Sequence, residues 1–313
     1  MIRIIKTFFT LLVCLHVFFK KYQVVYFAYS SYDLFFLKKI ILSNKNKDFL
    51  IVYQKGKNNF NFLNKKKIYN FDLKFLKFID SKIFVSASTG IKPYIKRENS
   101  IYIHVLHSLA SLHSIYPVNA FDIYDYILIY SKSQKKESNF INSVNKRFKA
   151  KPILAGYSKF DILKVKPNQK FDNTVLVAPS WGTDFIEKSL NKILEVLLKN
   201  NYKVILRPHP YYSEKIIKKY VKNFIKDIKI DYSFDASNSI NKSSYLISDY
   251  SGFAYEFIFT KHRPCLFINT KKKILNKYFD VKKLNSFEIL NRNSFGRLIE
   301  PRQIEKLDYY FKN

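Results

Sequence analysis

A chain of 313 residues has room for two average domains or one large α/β unit, and 47% hydrophobic with 18% aromatic residues excludes a mini-protein and an intrinsically disordered chain. The 55 Lys and Arg against 24 Asp and Glu leave a formal charge of +31, which points to phosphate-bearing partners of lipid, nucleotide or nucleic-acid type. The joint abundance of Lys, Asn, Ile, Phe and Tyr is also what an AT-biased coding sequence produces. Two cysteines, Cys14 and Cys265, lie far apart without partners at metal-ligand spacing, which argues against a disulfide framework and a cysteine-held metal.

Residues 1–21 carry Arg3 and Lys6 ahead of an apolar stretch from Phe8 to Phe19 that ends at Lys20 and Lys21. The run is shorter than the ~20 residues of a spanning helix and no small-residue cleavage site follows it, so an uncleaved membrane-associating segment is expected; a first helix packed on the core is the alternative. Apolar runs then alternate with Lys-rich amphipathic stretches, at 24–27, 49–53, 83–86, 101–104 and 126–130. After a polar stretch at 158–173 the rhythm restarts with runs at 174–178, 203–206, 228–230 and 245–248, separated by helices expected at 184–200, 214–225 and 251–259. Short continuous apolar runs divided by helical segments predict buried parallel strands, hence an α/β fold of two Rossmann-like domains, residues 22–165 and 166–313. The cleft between them is the expected site.

The candidate chemistry gathers at strand ends. Arg207-Pro208-His209-Pro210 follows the 203–206 run, so a cation and an imidazole are held by two prolines where open α/β sheets bind ligands. Arg can bridge two phosphate oxygens and His can donate a hydrogen bond or a proton to a leaving phosphate, a pairing suited to a diphosphate. Ser248-Asp249-Tyr250-Ser251-Gly252 joins a strand to a helix N-terminus, where free N–H groups, the Ser251 hydroxyl and a glycine that permits close approach form an anion site; Asp249 or Ser251 can equally serve as a helix cap. Ala178-Pro179-Ser180-Trp181 ends another strand and carries the single Trp, which lines a ligand cleft or fills core. His104, His107 and His113 fall within ten positions; their spacing lacks the i, i+4 pair of a helical zinc site, and general-base chemistry is the better use, with His104 structural.

The order His107-Ser108, Ala155 to Asp161, Ala178-Pro179-Ser180-Trp181, Arg207-Pro208-His209-Pro210 and Ser248-Asp249-Tyr250-Ser251 resembles the CDP-glycerol glycerophosphotransferase family of teichoic acid primases and polymerases. Leu106 and Ser108 around the first His, Gly182 after Trp181, Ser158-Lys159 and Gly252 depart from the family pattern. The resemblance implies a GT-B architecture with a CDP-alcohol in the C-terminal domain, a catalytic His in the N-terminal domain, and monotopic attachment to the cytoplasmic face of the bacterial inner membrane. The expected activity is transfer of a polyol phosphate, foremost glycerol phosphate from CDP-glycerol, to a hydroxyl of a membrane-linked glycan or polymer; a GT-B glycosyltransferase using a nucleotide sugar for capsule or lipo-oligosaccharide is the alternative. In this scheme His107 and His209 are catalytic, and Arg207, Ser251, Asp249, Gly252, Ser180 and Trp181 hold the donor. Ser108 and His113 lie on the acceptor side, with no metal ligand assigned and the divalent-cation requirement open. An anionic membrane surface is an expected partner. Nucleic acid is not, because the Lys residues are dispersed and no RNA-binding motif occurs.

Overall fold

The computed structural model describes residues 17–45, 48–55, 68–70, 73–167, 173–276 and 284–313. Most of the expected membrane-associating segment, with Cys14, and much of the 45–67 region lie outside the described residues. Within them the chain divides into two compact units, one built from residues up to 107 and from 117–162, the other from 108–116 and 163–313.

In the first unit the apolar runs form β1 (Lys21–Ser30), β2 (Phe49–Lys55), β3 (Ile68–Asn70), β4 (Asp80–Ser86), β5 (Ile101–Val105), β6 (Tyr126–Ile129) and β7 (Lys151–Leu154). They make one parallel sheet in the order β3-β2-β1-β4-β5-β6-β7, with Val25 paired to both Leu50 and Phe84. Helices α1 (Ser31–Ser43) and α2 (Lys132–Val144) are among its crossovers. Each starts on a serine that satisfies an orphan N–H: Ser30 forms a reciprocal capping box with Asp33, and Ser131 accepts from Gln134 N at 3.2 Å. Leu34, Phe36, Leu37 and Ile41 of α1 bury against Tyr26, Ile51 and Val85, each such side chain worth roughly 1.5–3 kcal/mol of hydrophobic stabilisation.

The second unit repeats the scheme with β8 (Thr174–Ala178), β9 (Lys203–Leu206), β10 (Ile228–Ile230), β11 (Tyr245–Ser248), β12 (Cys265–Ile268) and β13 (Gly296–Ile299), parallel in the order β10-β9-β8-β11-β12-β13. Every residue of β8 and β12 is buried, the consequence of a sheet covered on both faces. Cys265 is a buried free thiol whose pKa burial pushes well above the ordinary value. The helix expected at 184–200 is present from Thr183 to Lys199 and ends in α3 (Asn191–Lys199). The one expected at 214–225 is shorter: α4 (Glu214–Tyr220) stops because Val221 leaves helical geometry and buries fully in the core. α5 (Gly252–Lys261) follows β11 closely, as expected.

Residues 108–116 are the one excursion of the N-terminal half into the second unit. The Glu288 carboxylate accepts from Ser111 N at 2.7 Å and from Ser111 Oγ at 2.6 Å, His113 Nε2 donates to Leu284 O at 2.8 Å, and Leu275 N donates to Ser114 O at 2.9 Å. At the start of this segment the backbone crowds α5 so closely that a Cβ on Gly252 would lie 2.2 Å from Ser108 Oγ and 2.9 Å from Leu109 N. The absence of a side chain at Gly252 thus admits a neighbouring chain segment. Gly252→Ala is expected to lower stability by about 1–3 kcal/mol, since a backbone atom must shift; an unaltered urea midpoint would contradict this close approach.

Candidate active site

Both sheets reverse strand order at their centre, between β1 and β4 in the first unit and between β8 and β11 in the second. Ligands of open α/β folds bind outside the carboxyl ends of strands at such points; Ser180 and Asp249 stand at the one between β8 and β11.

In the first unit His107 follows β5 and is half-buried, its Nδ1 3.0 Å from the carbonyl oxygen of Ala87, which follows β4. A carbonyl only accepts, so the neutral imidazole carries its proton on Nδ1 and Nε2 is the basic nitrogen. Asp33, in the first turn of α1, acts on this ring electrostatically and is held by Ser30 Oγ at 3.2 Å and Ser88 Oγ at 3.3 Å. Ser88 is itself fixed by Tyr29 N at 2.9 Å. Burial pushes the imidazole below its ordinary value of 6.5, opposed by Asp33 and the Ala87 carbonyl and reinforced by Lys159. Burial likewise raises the Asp33 carboxyl, with His107 and the two hydroxyls opposing it. Lys159 is buried, with its Nζ 5.1 Å from the centre of the Phe36 ring, and the same ring lies 5.9 Å from His107. His107 is thus a neutral base near pH 7. His104, by contrast, is wholly buried between the rings of Phe121 and Tyr124 and belongs to the core.

In the second unit Asp249 has no exposed surface and ties three strand ends together. It accepts from Ser180 N at 2.9 Å and Thr270 Oγ1 at 3.3 Å, and pairs with Lys273 Nζ at 2.6 Å. Lys273 also donates to Ser180 Oγ and stands 5.6 Å from the centre of the Trp181 ring, so the Trp lies at this polar cluster rather than within the core. Burial lowers the Lys273 pKa, with the Asp249 charge opposing. Ser251 Oγ accepts from Phe253 N at 3.2 Å and caps α5. His209 Nδ1 accepts from Tyr211 N at 3.1 Å, so the neutral ring carries its proton on Nε2. The Arg207 guanidinium donates to Asp231 at 2.5 Å and to Ser233 O at 2.7 Å, which locks the loop after β10 against the His209 turn. Burial would raise the Asp231 carboxyl, but Arg207, Ser233 and Ser239 hold it below the usual range.

The structure places Ser180, Trp181 and Asp249 in one cluster, Arg207 and His209 on one turn, and Ser251 with Gly252 at the start of α5. His113 is fully buried on Leu284 O, and Ser108 packs over Gly252. Sequence reasoning missed Asp33 and Lys273. Each had a signal: the Ser-x-x-Asp capping spacing directly after β1, and the Lys271-Lys272-Lys273 run directly after β12. Among the described residues no group of three or more His, Cys, Asp or Glu is placed to hold a metal ion, and no helix is long and apolar enough to cross a membrane.

Two doubly wound parallel sheets, each with polar side chains at the carboxyl ends of its central strands, define a two-unit α/β protein. Solved structures agree on the fold. The wall teichoic acid polymerase TagF, as a variant soaked with CDPG, is 16% identical with a TM-score of 0.58 over 93% of this chain and 81% of that one. A UDP-N-acetylglucosamine 2-epimerase from Rickettsia bellii is 14% identical with a TM-score of 0.51 over 78% of each. The profile of the CDP-Glycerol:Poly(glycerophosphate) glycerophosphotransferase family matches residues 8–300, and the chain belongs to that family. The minor teichoic acid biosynthesis protein GgaB of Bacillus subtilis (strain 168) is 26% identical over 212 residues, 58% of this chain; the matched stretch is 22% of that relative's length.

Proposed function

We propose that the protein transfers glycerol phosphate from CDP-glycerol to a hydroxyl of a membrane-linked, teichoic-acid-like glycan or polymer and releases CMP. The observation that carries this reading is the complementary state of two histidines. His107 offers a basic Nε2 and His209 an Nε2–H, each set by a backbone partner on Nδ1. His107 Nε2 takes the proton of the acceptor hydroxyl as its oxygen forms a bond to the β-phosphorus of the donor. The bond from that phosphorus to the CMP oxygen breaks, CMP leaves with the bonding electron pair as an anion, and the neutral His209 donates a hydrogen bond from Nε2–H to the leaving oxygen while the acceptor proton stays on His107. Arg207 holds the His209 turn and adds positive potential at the diphosphate, while Ser180, Trp181 and the cap of α5 receive the nucleotide side.

Attachment to the cytoplasmic face of the membrane belongs to the same reading. Beyond residues 1–16, Phe18 lies within 6.2 Å of both Phe75 and Phe78, Phe19 and Phe78 are exposed, and Lys74 and Lys77 lie beside the rings of Phe75 and Phe78. Aromatic rings ringed by lysines suit an anionic lipid surface.

Calorimetric titration with CDP-glycerol, CDP-ribitol, CMP and a UDP-sugar tests the donor. Selective CDP-glycerol binding is expected, weakened roughly 10- to 100-fold by Arg207→Ala, as loss of a charged hydrogen-bonding group implies. Binding of the UDP-sugar in its place would move the protein to the glycosyltransferases.

A further inference from the structure

The second unit carries another concave surface, at the opposite end of its sheet from the residues assigned to the donor. It is a groove of about 540 Å³ lined by the turn entering β12 and the segment entering β13. Since β12 spans four residues, roughly 13 Å of strand separates it from the loop bearing Thr270 and Lys273. The two strands that form its floor approach so closely at Gly296 that a Cβ there would lie 1.9 Å from Cys265 O, so the trough is fixed by backbone packing.

Its chemistry is one-sided. His262, Arg263 and Arg297 line it and no Asp or Glu does. His262 caps α5 in the left-handed conformation, φ 57°, and all three side chains lie on exposed residues. Asn293 and Ser294 add neutral hydrogen-bonding groups. A cationic trough attracts phosphate, and its volume exceeds that of a single inorganic phosphate several-fold. Base stacking has little to work with: the Arg297 guanidinium lies 4.7 Å from the centre of the Tyr310 ring, and Phe295 is engaged by Phe259 and Tyr255. A flat lipid surface does not enter a groove. The ligand that matches is a flexible chain alternating phosphodiesters with hydroxyl-bearing carbons.

We propose that this groove is a second, non-catalytic subsite for an internal stretch of the polyol phosphate polymer, a proposal that rests on the glycerol phosphate reading above. It retains the acceptor while its end is extended. Arg263 and Arg297 bind phosphodiesters, and the Asn and Ser side chains meet the hydroxyls.

The test is fluorescence anisotropy with labelled glycerol phosphate oligomers of two and ten units, on the full chain and on the double variant Arg263→Ser, Arg297→Ser. The wild type is expected to bind the decamer more tightly than the dimer, with a salt dependence that flattens in the variant. The variant is expected to bind the decamer at least tenfold more weakly and to lose the length advantage, with an unchanged thermal midpoint and CDP-glycerol affinity within twofold. Equal decamer affinity in both proteins overturns the proposal. So does a variant that keeps decamer binding and loses affinity for vesicles containing anionic lipid, which would make the groove a lipid site. If the wild type binds no CDP-glycerol, the donor reading fails separately, because the oligomer arm contains no nucleotide.

Discussion

Replacing His107 by Ala is expected to cut turnover by about 10²- to 10⁴-fold, the usual contribution of a general base, while CDP-glycerol affinity measured by calorimetry stays within a few-fold of wild type. The pH profile gives a sharper test. The base works when neutral, so activity is full above the pKa of His107 and falls as pH drops through it. Because burial holds that pKa below 6.5, the acid limb of kcat/KM is expected below pH 6.5. Asp33 opposes the depression, so Asp33→Asn is expected to move the limb to still lower pH while reducing kcat through loss of a group that orders the site. A limb unmoved in Asp33→Asn, or moved upward, would remove Asp33 from this role. Wild-type turnover in His107→Ala would remove His107.

Lys273→Met is expected to have the largest effect in the second unit. Lys273 and Asp249 are 7% and 0% exposed and 2.6 Å apart, so removing the ammonium leaves a buried carboxylate uncompensated. Breaking such a pair costs about 3–5 kcal/mol, whereas replacing both partners is often nearly neutral. Urea unfolding is therefore expected to show a large loss for Lys273→Met and recovery of most of it in Lys273→Met, Asp249→Asn. Donor affinity should follow the same order, since an unpaired Asp249 charge beside Ser180 and Trp181 repels a diphosphate. If the double variant is no more stable than the single one, the ion pair is not what Lys273 supplies.

The nine strands expected from the sequence are all present, because a run buried on both faces needs only contiguous apolar residues, which are visible in any register. β3, β7, β12 and β13 were not expected, for reasons that reside in packing. β7 contains Pro152, and its Ile153 and Leu154 are exposed on the sheet edge. β13 begins with a glycine and an arginine and becomes a strand because Gly296 fits against Cys265. The site divides in the same way. The candidates His107, Arg207, His209, Ser180, Trp181, Asp249 and Ser251 could be singled out because each stands soon after an apolar run.

By itself the sequence determined two successive α/β halves with parallel strands, the turns that present the two histidines, and the family. Those features depend on local pattern and spacing, which survive without knowledge of neighbours. Only the tertiary structure decided that residues 108–116 join the second unit, that Gly252 serves a chain segment, and that Asp33 stands with His107 and Lys273 with Asp249. These pairs are 74 and 24 residues apart in the chain, and burial of one partner, opposed by the charge of the other, acts only once folding has brought them together out of water.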